Sequence, residues 1–144
     1  FNVFGPRQDP DGPYAAVIPK WVAALLRGET CTINGDGETS RDFCYVKNAV
    51  QANLLAAAAP SSSTGHVYNV ACGETVPLMR YIRVLEECLG RKAVLQMEPI
   101  QPGDVPDTTA DVSDFERDFG FRPSTPVEVG VRRFVEWYRE YHGV

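Results

Sequence analysis

The chain has 144 residues, 44% of them hydrophobic and 23% charged, and a formal net charge of −5. That length carries one compact domain with a real core and hardly two. The 14 basic residues are scattered and outnumbered by 19 acidic ones, which argues against nucleic acid as a partner. No apolar run approaches the roughly 20 residues of a membrane span, since residues 49–59 are interrupted by Gln51 and Asn53 and end at Pro60.

Along the chain, residues 1–4 read as a strand ending at Gly5 and Pro6. That strand begins without a cap or polar lead-in, so the chain is expected to be cut from a longer protein, with proteolytic trimming as the alternative. A Pro/Gly-rich loop follows. Apolar spacing at Val17, Trp21, Val22, Leu25 and Leu26 then predicts a helix over 14–27, stopped by Gly28. Residues 30–33 and 41–46 read as two strands of a hairpin around the turn Asn34-Gly35-Asp36-Gly37.

An Ala/Leu-rich helix is predicted over 47–59, a strand over 66–70, and a helix over 77–89 capped by Thr75 and closed by Gly90. Residues 93–97 alternate as a strand, and 98–110 form an irregular loop rich in Pro, Asp and Thr. Two helices end the chain, the first stopping at Gly120 and the second reaching Tyr141, with Ser113/Glu116 and Thr125/Glu128 as capping boxes. The four cysteines, Cys31, Cys44, Cys72 and Cys88, contain no C-x-x-C pair. They read as buried thiols of a reducing cytoplasm, not a zinc site.

Several chemistries lack their residues. The glycine turn at 34–37 runs into a strand and carries acids, so it is no pyrophosphate-binding turn. None of the six Tyr has a Lys four residues on, the spacing of a base assisted by an ammonium. His66 and His142 have no catalytic company and read as structural or exposed. Three polar features stand out instead. Asn2 lies in an apolar strand, where it needs hydrogen bonds or bonds a neighbouring backbone. Arg41 can fork onto a diphosphate or pair with Asp42 or Glu38. Asp104 can accept from ribose hydroxyls or cap a turn.

The segments F-N-V-F-G-P-R-Q-D-P, N-G-D-G-E-T-S-R-D-F-C-Y-V, Y-N-V-A and P-G-D-V with A-D-V occur here in that order. Together they resemble the extended short-chain dehydrogenase/reductase family, and within it the NAD-dependent nucleotide-sugar 4-epimerases of surface-polysaccharide pathways. UDP-N-acetylglucosamine 4-epimerases are the nearer likeness over most of the chain, and UDP-glucuronate 4-epimerases over the tail. The resemblance implies that residues 1–144 are a C-terminal nucleotide-sugar-binding domain, a small α+β unit lacking the Rossmann sheet. Nearly all of the NAD site, and the Tyr, Lys and Ser/Thr of catalysis, would then precede Phe1.

By the same resemblance, Asn2 touches the substrate, and Ala16, Val17 and Trp21 lie along the nucleotide. Thr32 and Asn34 contact uridine, Leu78 packs on the base, Arg41 grips the diphosphate and Asp104 binds the ribose. Gln101 stands where a second Arg is common, and Thr32 where an aromatic is frequent. The implied ligand is UDP or a UDP-sugar, with NAD bound only in the longer protein. Inversion at C4 would there pass through a 4-keto sugar. A nucleotide-sugar dehydratase or decarboxylase, and a non-catalytic interaction module, are the competing readings. Apolar surface near Phe1, Val3, Phe4 and Trp21 is expected to face the missing half and to favour self-association.

Overall fold

A computed structural model describes residues 2–11, 17–60 and 65–144. In chain order the elements are β1 (Val3–Phe4), α1 (Val17–Arg27), β2 (Thr30–Asn34), β3 (Ser40–Arg41), β4 (Cys44–Tyr45) and α2 (Val46–Ala57). There follow β5 (Val76–Pro77), α3 (Leu78–Leu89), β6 (Val94–Glu98), β7 (Asp107–Thr108), α4 (Ser113–Phe119) and α5 (Val127–His142). The fold is mixed, with helices around small sheets; the largest sheet among the described residues has three strands.

Three helices supply the core because each repeats apolar residues on one stripe. α1 buries Ile18, Trp21, Val22 and Leu25; α3 buries Leu78, Tyr81, Ile82 and Leu85; α5 buries Val127, Val131, Phe134 and Val135. β2 adds Cys31 and Ile33 by strand alternation. Gly90 and Gly120 end α3 and α4 in the left-handed conformation, at φ 64° and 62°, each donating its N–H to the carbonyl four residues back.

The expected hairpin is not formed. β2 pairs in parallel with β6, from Thr30 opposite Val94 to Asn34 opposite Glu98. β3 instead lies between β5 and β7. The expected strand over 41–46 is split, because Asp42 turns inward between β3 and β4, and β4 pairs in parallel with β1. The strand expected over 66–70 is absent. That segment is held by side chains, with Asn69 Nδ2 donating to the Asp111 carbonyl at 3.0 Å and Tyr68 Oη to Asp118 at 2.8 Å.

The expected capping boxes are also unmade. Pro77, Val112 and Pro126 occupy the three cap positions and make no side-chain cap bond. Ser113 Oγ donates to Asp111, and Thr125 Oγ1 to Asn48, so both hydroxyls are spent elsewhere. The start expected for the first helix, near Tyr14, lies outside the described residues.

The expected apolar face also needs correction. Phe4 and Trp21 are each only 3% exposed. Phe4 is enclosed by Phe43, Tyr45 and Tyr81, with ring centroids 5.8–6.1 Å away, and Trp21 sits on the buried stripe of α1. Val3 is exposed as expected, and Phe1 is outside the described residues. Exposed large apolar side chains lie elsewhere: Val50 and Leu54 on α2, Val67 in the loop before β5, Val94 and Met97 on β6, and Tyr141 on α5. No described helix is long and apolar enough to cross a membrane.

Candidate functional site

A cavity of about 570 Å³ opens where β1, α1, β2, β3, α3 and the loop before β7 converge. Of the ten residues singled out from sequence, eight line it: Asn2, Val17, Trp21, Thr32, Asn34, Arg41, Leu78 and Asp104. Gln101 does not line it; its carbonyl accepts the Asp104 N–H at 3.0 Å and so closes the turn that presents Asp104. Ala16 lies outside the described residues. Val3, Gln8 and Phe43 also line the cavity and were not picked out beforehand.

Each wall has a local cause. The α1 stripe turns Trp21 inward, and its indole Nε1 donates to the Thr32 carbonyl at 3.0 Å, tying α1 to β2. Thr32 and Asn34 share one face of β2, opposite the buried Cys31 and Ile33. Asn2 holds φ 32°, and its Nδ2 donates to the Asp42 carbonyl at 3.2 Å. Gln8 folds back so that Nε2 reaches the Val3 carbonyl at 2.9 Å, while its Oε1 is buried without a partner among the described residues.

Arg41 and Asp104 are the charged residues of the lining. Arg41 pairs with neither Asp42 nor Glu38. Its Nη2 donates to Asp104 Oδ1 at 2.5 Å, and its Nη1 to the carbonyls of Ser40 and Pro106 at 2.7 and 3.0 Å. The guanidinium side chain is 13% exposed and the Asp104 carboxylate 35%. Asp104 Oδ1 also accepts the Val105 N–H at 3.0 Å, so the carboxylate caps its turn as well as pairing.

Behind Arg41, Asp42 is wholly buried. Its Oδ1 accepts the N–H of Cys72 at 2.9 Å, and its Oδ2 accepts those of Gly73 at 2.9 Å and Ala110 at 3.3 Å. A buried carboxylate answered by three backbone donors is well solvated by the fold. It joins β3 to the loops before β5 and α4, and thereby steadies the strand that carries Arg41. The sequence signal for it was an acid within the expected strand over 41–46, indistinguishable there from a surface Asp.

Burial holds nearby thiols protonated: Cys44 is pushed up to about 11 and Cys72 to about 12, with neighbouring acidic groups adding to the shift. Neither is a nucleophile near neutral pH. No group of three His, Cys, Asp or Glu among the described residues could hold a metal.

The 34–37 turn does not fit the pyrophosphate of NAD. In that turn, Asp36 Oδ1 accepts the Glu38 N–H at 3.0 Å, and the space a Gly37 Cβ would take is occupied by Met79, whose Cγ lies 2.8 Å away. The turn is packed on α3 and lined by a carboxylate, the opposite of an open amide cradle for a pyrophosphate.

Residues 1–71 match the NAD dependent epimerase/dehydratase family. A probable UDP-glucuronate 4-epimerase of Rhizobium meliloti is 36% identical over 96% of this chain. A UDP-N-acetylglucosamine 4-epimerase from Methanobrevibacter ruminantium, solved with UDP-N-acetylmuramic acid, is 39% identical over 98% of the chain, with a TM-score of 0.88. A UDP-glucuronic acid 4-epimerase from Bacillus cereus, solved with UDP-glucuronic acid and NAD, is 26% identical with a TM-score of 0.89. The chain spans only 44% of the length of each.

Proposed function

We propose that the chain is the nucleotide-sugar-binding part of a UDP-sugar 4-epimerase, starting from the match of residues 1–71 to the NAD dependent epimerase/dehydratase family. The observation that carries the reading is the convergence of eight of the anticipated residues on one cavity, with Arg41 as its cation. Val17, Trp21 and Leu78 offer apolar surface to a base, while Thr32, Asn34 and Asn2 offer donors and acceptors to a ring edge or sugar hydroxyl. Arg41 suits a diphosphate because its planar fork can donate to two oxygens at once.

Chemistry at sugar C4 would draw on groups outside residues 1–144. The 34–37 turn does not fit a pyrophosphate, and no Tyr here has a Lys four residues on. NAD would supply hydride transfer in the longer protein. What this chain does is hold and orient the UDP moiety, so that binding energy far from C4 is available to the reacting end.

Calorimetric titration of the chain with UDP tests the reading. One site per chain is expected, and Arg41→Ala should weaken binding at least about tenfold, the scale of one charge-assisted hydrogen bond. A flat titration of the unmodified chain with UDP, UDP-glucuronate and UDP-N-acetylglucosamine would overturn it and favour the interaction-module reading.

A further inference from the structure

We infer that Asp104 is a counter-ion latch on Arg41, which an incoming anion must displace before it is gripped. The inference rests on the binding reading above and adds a cost and a motion to it. The cavity lining has one cation and one carboxylate, and they are bonded to each other at 2.5 Å. Arg41 is therefore charge-compensated without ligand.

The pair also clasps a strap. Arg41 Nη1 holds the Pro106 carbonyl at 3.0 Å, the Ser40 N–H donates to the same carbonyl at 2.9 Å, and Ser40 Oγ bonds the Asp107 carboxylate. Beyond these anchors, residues 101–105 are exposed. Of the bonds Arg41 makes to the strap, the one to Asp104 Oδ1 is the only one to an anion, so it is the one a diphosphate competes for. The Ser40 and Pro106 bonds use the other guanidinium nitrogen and survive the exchange. Opening thus frees the tip of the strap and leaves its base on β3.

Uridine and UDP separate this role from a simple ribose contact, because they share the ribose and differ in the anion. Asp104→Asn removes the latch charge at nearly constant shape. The latch predicts that the ratio of UDP to uridine affinity rises about fivefold in the variant, the scale of one partly screened ion pair. A ribose contact alone lowers both affinities together and leaves the ratio unchanged, which would overturn the latch while leaving the binding reading intact.

Hydrogen exchange in the unmodified chain gives a readout that does not depend on the variant. UDP, and not uridine, should speed exchange in residues 101–105; slowing by UDP would overturn the latch. Binding of neither ligand would overturn both readings. In that case the free proteins still show whether the ion pair clasps the strap, through faster exchange at 101–105 in Asp104→Asn than in the unmodified chain.

Discussion

Asp42 Oδ2 accepts the backbone N–H of Gly73 at 2.9 Å, joining two residues 31 apart in sequence. With the Cys72 and Ala110 bonds, this one carboxylate answers three backbone donors from two loops. Asp42→Ala would leave those donors without their acceptor, and Asp42→Asn would turn an amide N–H toward them. Each orphaned buried donor costs about 1–3 kcal/mol, so a loss of about 3 kcal/mol or more is expected for Asp42→Ala, and less for Asp42→Asn. Urea unfolding of both variants checks the order.

Helices were legible where the apolar period was strong, as in α1, α3 and α5. The left-handed glycines at 90 and 120 marked helix ends correctly because glycine, without a Cβ, takes that conformation at no steric cost. Strand partners were not legible. The turn at 34–37 has hairpin composition, but β2 finds β6, which lies 60 residues beyond, and register between such short strands is set by tertiary packing. The capping hydroxyls failed for a related reason: Ser113 and Thr125 had nearer or better-placed acceptors in Asp111 and Asn48. Most of the cavity was anticipated through short segments that resemble a family. Gln8 and Phe43 were missed because their places depend on how the first loop and β4 fold back.

Trp21 ties two walls of the cavity through its indole N–H to the Thr32 carbonyl. Trp21→Phe keeps an aromatic ring on the α1 stripe but removes that donor. A stability loss of about 1 kcal/mol is expected from the hydrogen bond, before any packing cost. UDP affinity should fall about threefold as β2 loses its tie to α1. Equal UDP binding by the variant and the unmodified chain would show that the bond does not position Thr32 and Asn34.

The buried thiols give the fold an alkaline limit. Cys44 and Cys72 ionise near 11 and 12 in the folded chain, against an ordinary 9.0. Above pH 9 the unfolded chain therefore releases protons that the folded chain keeps, and stability falls as pH rises from 9 toward 12. The slope should approach about 1.4 kcal/mol per pH unit for each thiol. Cys44→Ala should flatten it, even at some cost in stability at pH 7. On the acid side, hydrogen bonds from Lys92 and Arg80 hold the Glu86 and Glu128 carboxylates below their ordinary range. Their contribution is present above that ordinary range and is lost as pH falls through the depressed values. Urea midpoints from pH 3 to 11 should accordingly decline at both ends.

Gly130 is buried near the N-terminal end of α5, where helix propensity alone would favour alanine by up to about 1 kcal/mol. A Cβ there would meet Phe4 Cζ at 2.7 Å and Tyr45 Cδ2 at 3.2 Å. Both are atoms of rings enclosed by other aromatics, so neither can swing aside without disturbing the Phe4, Phe43 and Tyr81 cluster. The steric cost should exceed the propensity gain, and Gly130→Ala is expected to lower stability by about 1–3 kcal/mol. Phe4 is also the neighbour of Val3 and Asn2 on the cavity wall, so the same variant should weaken UDP binding. Phe4→Leu supplies the control. Alone it leaves a cavity and destabilises; combined with Gly130→Ala it should recover part of the loss, giving a non-additive pair in thermal unfolding. Additive losses would place the strain of Gly130→Ala somewhere other than against Phe4.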